Sequence, residues 1–158
     1  MKKILFLFVC LSIGYNAVGQ YVTLNDSLES FGTQVAALLA STNNAEAEAF
    51  GQDFNALWPN TFSTDQQQQI VDLAIQLQDR KMRSIPYQRD FFGALTLAVN
   101  LTGLSGSKLD NFLSMLSKSL DNNPPRKFAR ELVNLRIFFE FQALHRSSYN
   151  SLYALNAD

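Results

Sequence analysis

The stretch from residue 125 to about residue 153 carries two apolar stripes at helical spacing, and this feature constrains the fold most. At ~100° per residue, each stripe follows one side of a helix. One side carries Phe128, Leu132, Leu135 and Phe139, and the opposite side carries Val133, Ile137, Phe141 and Leu144. A helix with one solvated face needs a single stripe, so this helix requires cover on two sides. We therefore expect a long helix in a central position.

Five shorter helices are predicted before it, because apolar residues recur at three- and four-residue spacing from Leu24 onward. The fourth of them, which Pro86 opens, is apolar around most of its circumference and is expected in the interior. Its narrow polar strip consists of Arg89, Gly93, Thr96 and Asn100.

Capping residues predict where the first three helices begin and end. Asn25 or Asp26 caps the first helix. The second is expected to stop at Pro59-Asn60. Ser63 or Thr64 caps the third, with Gln66 or Gln67 as the reciprocal partner of a capping box. The four glutamines at 66–69 are interpreted as solvated surface.

The remaining helix ends follow similar signals. Arg80, Lys81 and Arg83 near the end of the third helix suit the negative pole of its dipole. Ser107 is the predicted cap of the fifth helix, with Asp110 at the capping-box position. Pro125 suits the first turn of the last helix, where its missing N–H has no intrahelical partner to lose.

These patterns predict an all-α fold, a single bundle of about six helices with the long C-terminal helix central. Strand-like alternation is absent from the sequence, and no linker is long enough to divide the chain. Helices spaced about 20 residues apart leave hairpin or solenoid-like pairing open. The final residues carry no stop signal, which leaves open whether this is the amino-terminal domain of a longer protein.

The first residues have the layout of a secretory signal peptide, which we assign to residues 1–19, with residues 20–158 as the helical-bundle domain. Lys2 and Lys3 precede a largely apolar run at residues 4–13, and Ala17-Val18-Gly19 has the small residues of a cleavage site. The run is about half the ~20 residues that span a bilayer, so we expect no membrane span after cleavage. Val9 before Cys10 argues against lipid attachment.

This leader, with its paired lysines, its Phe/Leu run and Gln20 after the cut, resembles the signal peptides of Bacteroidota. The resemblance covers only the first twenty residues. It implies an exported helical protein of a Gram-negative bacterium, located in the periplasm, on the cell surface or in the medium.

Charge is distributed unevenly along the chain. Residues 20–78 contain seven acids and no Lys or Arg, whereas residues 79–158 contain eleven cations and seven acids, so the two halves carry −7 and +4. The simpler interpretation is that acidic early helices lie beside basic later ones. The alternative is a basic surface for an anionic partner. The cations are too few and too scattered for a nucleic-acid partner.

The inventory of reactive side chains predicts no catalytic residues, no metal site and no cofactor. Cleavage after Gly19 removes Cys10, the only cysteine, and His145 is the only histidine, with no acid one helical turn before it. Glu46 and Glu48 are two residues apart and diverge by about 200° on a helix.

Function is therefore predicted from the surplus of aromatic side chains, not from a reactive site. We expect a non-enzymatic exported interaction module that contacts a protein partner or a downstream domain. The alternative is a bundle that binds an apolar, lipid-like small molecule between the fourth and last helices. The candidate face for a partner or ligand is the second stripe of the last helix, Val133, Ile137, Phe141 and Leu144.

Overall fold

The computed structural model of the protein describes residues 28–41, 43–82 and 84–155, with the side chains of the last helix described as far as His145. Six α-helices account for nearly all of these residues: α1 (Leu28–Ala40), α2 (Ala45–Thr61), α3 (Thr64–Asp79), α4 (Ile85–Thr102), α5 (Gly106–Asn122) and α6 (Pro125–Leu155). The predicted all-α bundle of about six helices is confirmed. The expected signal peptide and the cap at Asn25 or Asp26 lie outside the described residues.

Helices α1 and α2 form a hairpin around a group of aromatic rings. The Phe31 and Trp58 ring centroids are 4.8 Å apart, and Phe54 contacts Phe92 of α4 edge-on at 4.9 Å. Such pairs add about 0.5–1.5 kcal/mol beyond the area that they bury. Trp58 also donates its indole N–H to the Leu28 carbonyl, which satisfies its only side-chain donor. This aromatic group therefore fixes how the hairpin sits on α4.

Helices α1 and α2 pack closely because each has a glycine where it faces the other. A Cβ at Gly32 would lie 2.7 Å from the Trp58 Cβ, and a Cβ at Gly51 would lie 3.0 Å from the Ala36 Cα. Both distances are shorter than ordinary van der Waals contact. Gly51, which lowers helix propensity, thus permits the approach of the two backbones.

Helix α4 is the most enclosed of the described helices, as its pattern predicts, and it contacts α1, α2 and α6. Most of its polar strip is enclosed as well. Gly93 lies under Phe50 and Arg136, and Thr96 is buried with its hydroxyl donating to the Phe92 carbonyl. Asn100 is exposed. Gly93 therefore gives the side chains of α2 and α6 room to pack against α4.

Helices α3 and α5 are joined at both ends by hydrogen bonds. Gln66 forms the predicted capping box with Ser63, and its amide also donates to Asp110 Oδ1 at 2.7 Å. At the other end, Arg80 donates to the Asp121 and Asn123 carbonyls, at the carboxyl end of α5. Arg80 therefore complements the dipole of the neighbouring helix as well as its own.

Three local predictions were wrong. Gln66 is buried, not solvated, because it bridges to α5. Helix α2 includes Pro59 and continues to Thr61. The N-cap position of α5 is Ser105, not Ser107, since the helix already begins at Gly106, and the Ser105 side chain makes no capping hydrogen bond.

Helix α6 begins at Pro125, as predicted, and has 31 residues. A helix of this size extends about 46 Å at ~1.5 Å per residue. It packs against α4 and α5. The α5–α6 pair is antiparallel, because the Ser119 hydroxyl donates to Glu131 near the turn and Phe112 contacts Phe139 further away, with ring centroids 5.7 Å apart. The stripe that contains Phe128, Leu132 and Phe139 is buried by this packing.

Candidate interaction face

The second stripe of α6 lies on the side of the helix that faces away from α4 and α5. Val133 is partly buried, whereas Ile137, Phe141 and Leu144 are 55%, 61% and 69% exposed. We expected neighbours to cover α6 on two sides. The residues that the structure describes do not cover the second side. Of the two apolar stripes, only one contributes to the core formed by those residues.

Phe138 belongs to the same surface, although it lies in neither predicted stripe. Its ring is 52% exposed, and it contacts the buried ring of Phe139 edge-on at 5.6 Å between centroids. At ~100° per residue, Phe138 lies about 60° from Phe141 and about 100° from Ile137, so it borders the second stripe on the side of α5. The surplus of aromatic residues was the signal that could have identified it. We call Ile137, Phe138, Phe141 and Leu144 the exposed apolar face.

The size of this face matches that of the largest apolar patch on a typical monomer. With ~200 Å² for each large apolar side chain, the four exposed fractions correspond to roughly 470 Å². The largest apolar patch on a typical monomer is about 300–600 Å² and often functional. A contiguous patch in that range on one helix is a candidate binding surface.

The polarity of α6 changes along this side. Lys127, Arg130 and Asn134 are exposed in the first turns and share the helix side of Ile137 and Phe141, at alternating spacings of three and four residues. The solvent side of α6 is thus cationic at its start and apolar from Ile137 onward. These exposed cations, Lys127 and Arg130, form a small part of the basic surface that the uneven charge of the sequence allowed as an alternative.

Acidic and basic halves of the chain do meet at one point. Glu46 of α2 accepts a hydrogen bond from Arg136 at 2.6 Å and lies 3.6 Å from the Arg89 guanidinium of α4. Arg136 also lies 3.6 Å from Asp90 Oδ1 and over the ring of Phe50. This contact agrees with internal compensation of the two charged halves.

An apolar groove separates α5 from α6 next to the exposed apolar face. Its volume is about 380 Å³, and it is bordered by Met115, Phe128, Leu132, Leu135 and Phe138. Met115 is itself 46% exposed. The alternative hypothesis placed a ligand cleft between the fourth and last helices, where α4 and α6 pack along each other. The open apolar groove lies on the α5 side of α6.

Reactive side chains do not cluster in the described part of the chain. Within 28–41, 43–82 and 84–155, no group of three or more His, Cys, Asp or Glu residues is placed to hold a metal ion. His145 is exposed, and its ring lies 6.2 Å from that of Phe141 between centroids. Glu46 and Glu48 have different partners, since Glu48 accepts from Gln52. None of the described helices is long and apolar enough to cross a membrane.

Comparisons with known proteins assign no relative to this chain. No family model matches it, and neither a curated protein nor a solved structure shows significant similarity. A proposal of function must therefore start from the exposed apolar face and its cationic start.

Proposed function

We propose that this protein is an exported, non-enzymatic helical module that binds another protein through the exposed apolar face of α6. The observation that carries the proposal is the exposure of Ile137, Phe138, Phe141 and Leu144 on a helix whose other side packs into the bundle. Water contact with four adjacent large apolar side chains is unfavourable by about 25 cal/mol for each Å². A protein partner that covers them removes this cost.

A helical partner suits this surface better than an extended one. Ile137, Phe141 and Leu144 are spaced at four and three residues, which is the anchor spacing with which one helix packs against another. The exposed apolar area is over half of the ~800 Å² that each partner contributes to a standard interface. Polar neighbours around the patch supply the remaining rim.

Site-specific photocrosslinking in the cells that make the protein tests this proposal. A benzophenone side chain would replace Phe141, and the matched control would replace Asp53, which is exposed on α2. We expect covalent protein adducts from position 141 and few from position 53. Equal, low adduct yields at both positions would show that the face is uncovered in the cell, and the proposal would be rejected.

The groove between α5 and α6 supports a second candidate, which is binding of an apolar small molecule. Its volume is about 380 Å³. Ligand pockets typically have volumes of roughly 300–1000 Å³. Titration with palmitate, followed by the chemical shifts of Met115 and Leu135, would test this candidate. Saturable shifts that Met115→Lys abolishes would support ligand binding, and shifts spread over all exposed side chains would contradict it.

A further inference from the structure

We infer that the partner of the exposed apolar face is α6 of a second copy of this chain, packed antiparallel about Phe141. This inference rests on the proposed function, since it names the protein that covers the face. Antiparallel packing creates a twofold axis, so each copy presents the same patch to the other.

Spacing along the helix makes the patch complementary to itself. Ile137, Phe141 and Leu144 follow the four-then-three spacing of a coiled-coil seam. When two such seams run antiparallel about Phe141, Ile137 of each copy lies beside Leu144 of the other, and the two Phe141 rings meet near the axis. All apolar seam residues then contact apolar seam residues.

Charge decides the relative direction of the two helices. Followed toward the helix start, the same seam carries Asn134, Arg130 and Lys127, all exposed. A parallel pair would place Arg130 and Lys127 against their own copies, and like charges at that distance repel. In the antiparallel pair they lie beside the last turns of the partner helix, where cations are favoured by the helix dipole.

The available area is sufficient for a reversible dimer. The four apolar side chains of both copies together expose roughly 950 Å² at ~200 Å² for each complete side chain. A specific interface generally buries at least about 1000 Å². The flanking Asn134 and His145 side chains are also exposed, and their burial would raise the total to about this area. We therefore expect a weak, reversible dimer.

A lipid surface fits the same face less well. Interfacial amphipathic helices carry Lys or Arg along the borders of their apolar side, where the lipid headgroups lie. Here the residues that flank the apolar part are Glu140 and Gln142, and the cations are displaced toward the helix start. Anionic headgroups would meet the Glu140 carboxylate beside Leu144, one helical turn on. Lipid binding is accordingly an outcome of the test and not the proposal.

Cysteine crosslinking in the full chain tests the geometry. Cys10 is the only cysteine, so Cys10→Ser leaves a background in which one introduced thiol is unique. Under mild oxidation, Phe141→Cys is expected to form a disulfide-linked dimer, because the two positions meet near the axis. Asp53→Cys, exposed on α2, is the control and should stay monomeric. Equal crosslinking of the two variants would overturn the inference.

Sedimentation equilibrium measures the association itself. The unmodified chain is expected to be dimeric at about 100 µM, and Phe141→Glu should be monomeric with unchanged helicity by circular dichroism. Arg130→Glu should weaken an antiparallel dimer about three- to tenfold, since it replaces a cation with an anion near a helix carboxyl end. Arg130→Gln should weaken the antiparallel dimer less than Arg130→Glu does. A tighter dimer of Arg130→Gln would contradict the antiparallel arrangement, because in a parallel pair the neutral side chain removes the repulsion between the two copies of Arg130.

The outcomes separate this inference from the proposed function. A chain that stays monomeric at that concentration but still gives photocrosslinks to a different protein at position 141 rejects self-association and leaves protein binding in place. If the chain is monomeric and cosediments with phosphatidylglycerol vesicles, and Phe141→Glu abolishes the cosedimentation, self-association is rejected in favour of binding to a lipid surface. Absence of protein adducts in the cell rejects the proposed function as well.

Discussion

The guanidinium of Arg136 on α6 donates to the carboxylate of Glu46 on α2 at 2.6 Å, across 90 residues of sequence. The same side chain is largely buried, lies 3.6 Å from Asp90 and covers the Phe50 ring with its charge 5.6 Å from the centroid. Its Nε is buried and has no hydrogen-bond acceptor in range among the described residues. Arg136 therefore joins α6 to both α2 and α4 through charge and stacking together.

Replacement of Arg136 is expected to destabilise the bundle more than replacement of its partner. Arg136→Ala removes the cation over Phe50 and one of the two guanidinium groups beside buried Asp90, while Arg89 still pairs with Asp90 at 3.0 Å. It should lower the free energy of unfolding by about 1–2 kcal/mol. Glu46 is about half exposed, so Glu46→Gln should cost less than about 1 kcal/mol. Urea unfolding followed by circular dichroism measures both. A larger loss for Glu46→Gln would contradict this ranking.

Phe139 and Phe141 are two residues apart on opposite sides of α6, which makes them a matched pair. Phe139 is buried against Phe112. Phe139→Ala should therefore cost about 3–5 kcal/mol of unfolding free energy. Phe141 is mostly exposed. Phe141→Ala should therefore change the stability of the monomer by no more than about 0.5 kcal/mol.

Thermal unfolding at low micromolar protein concentration separates these effects from association. A loss below about 1 kcal/mol for Phe139→Ala would show that this side of α6 is not core, and the packing described above would be wrong.

Gly32→Ala is expected to destabilise the protein although alanine is the better helix former. Alanine gains about 1 kcal/mol of helix propensity over glycine in a helix interior. At this position, however, its Cβ would lie 2.7 Å from the Trp58 Cβ, and the two helices must separate. We expect a net loss of about 1–3 kcal/mol in the free energy of unfolding, measured in urea. Ser114→Ala, at an exposed helical site on α5, is the control and should be neutral or stabilising.

Gln66→Glu tests whether the glutamine acts as a cap or as a bridge. Glutamate serves equally well in a capping box, so a purely local role predicts little change. The structure also gives the Gln66 amide a hydrogen bond to Asp110 at 2.7 Å, and a carboxylate there would place two negative charges in contact. We expect thermal unfolding to show a loss of about 1–3 kcal/mol. Addition of Asp110→Asn should recover most of it, and a double variant no more stable than Gln66→Glu would refute the bridge.

Much of the fold follows from local patterns. Three- and four-residue spacing predicts the stripes of α3 and α5, and the capping box of Ser63 with Gln66 forms as expected. Pro125 opens α6 because its ring suits the first helical turn. These features depend on residues within one or two turns, so a single sequence contains what determines them.

The errors and omissions share one physical origin. The polar residues next to Gln66 in the sequence predict a solvated side chain. Its burial depends instead on Asp110, which is 44 residues away. The side that carries Phe128 and Phe139 was correctly expected to be core. Nothing in the periodicity of α6 shows that, among the described helices, α4 and α5 pack against this side. Periodicity shows which side of a helix is apolar, but it does not show which other helix covers that side.

The sequence by itself determined six helices, their apolar stripes and the presence of two stripes on α6, because helical geometry fixes the angle between side chains. Only the tertiary structure decided which stripe is covered. Helices α4 and α5 contact α6 on the side of Leu132, and Ile137, Phe141 and Leu144 are left in contact with solvent. That choice depends on how helices distant in sequence fill the space beside one another, and it is what gives this protein a candidate surface for binding.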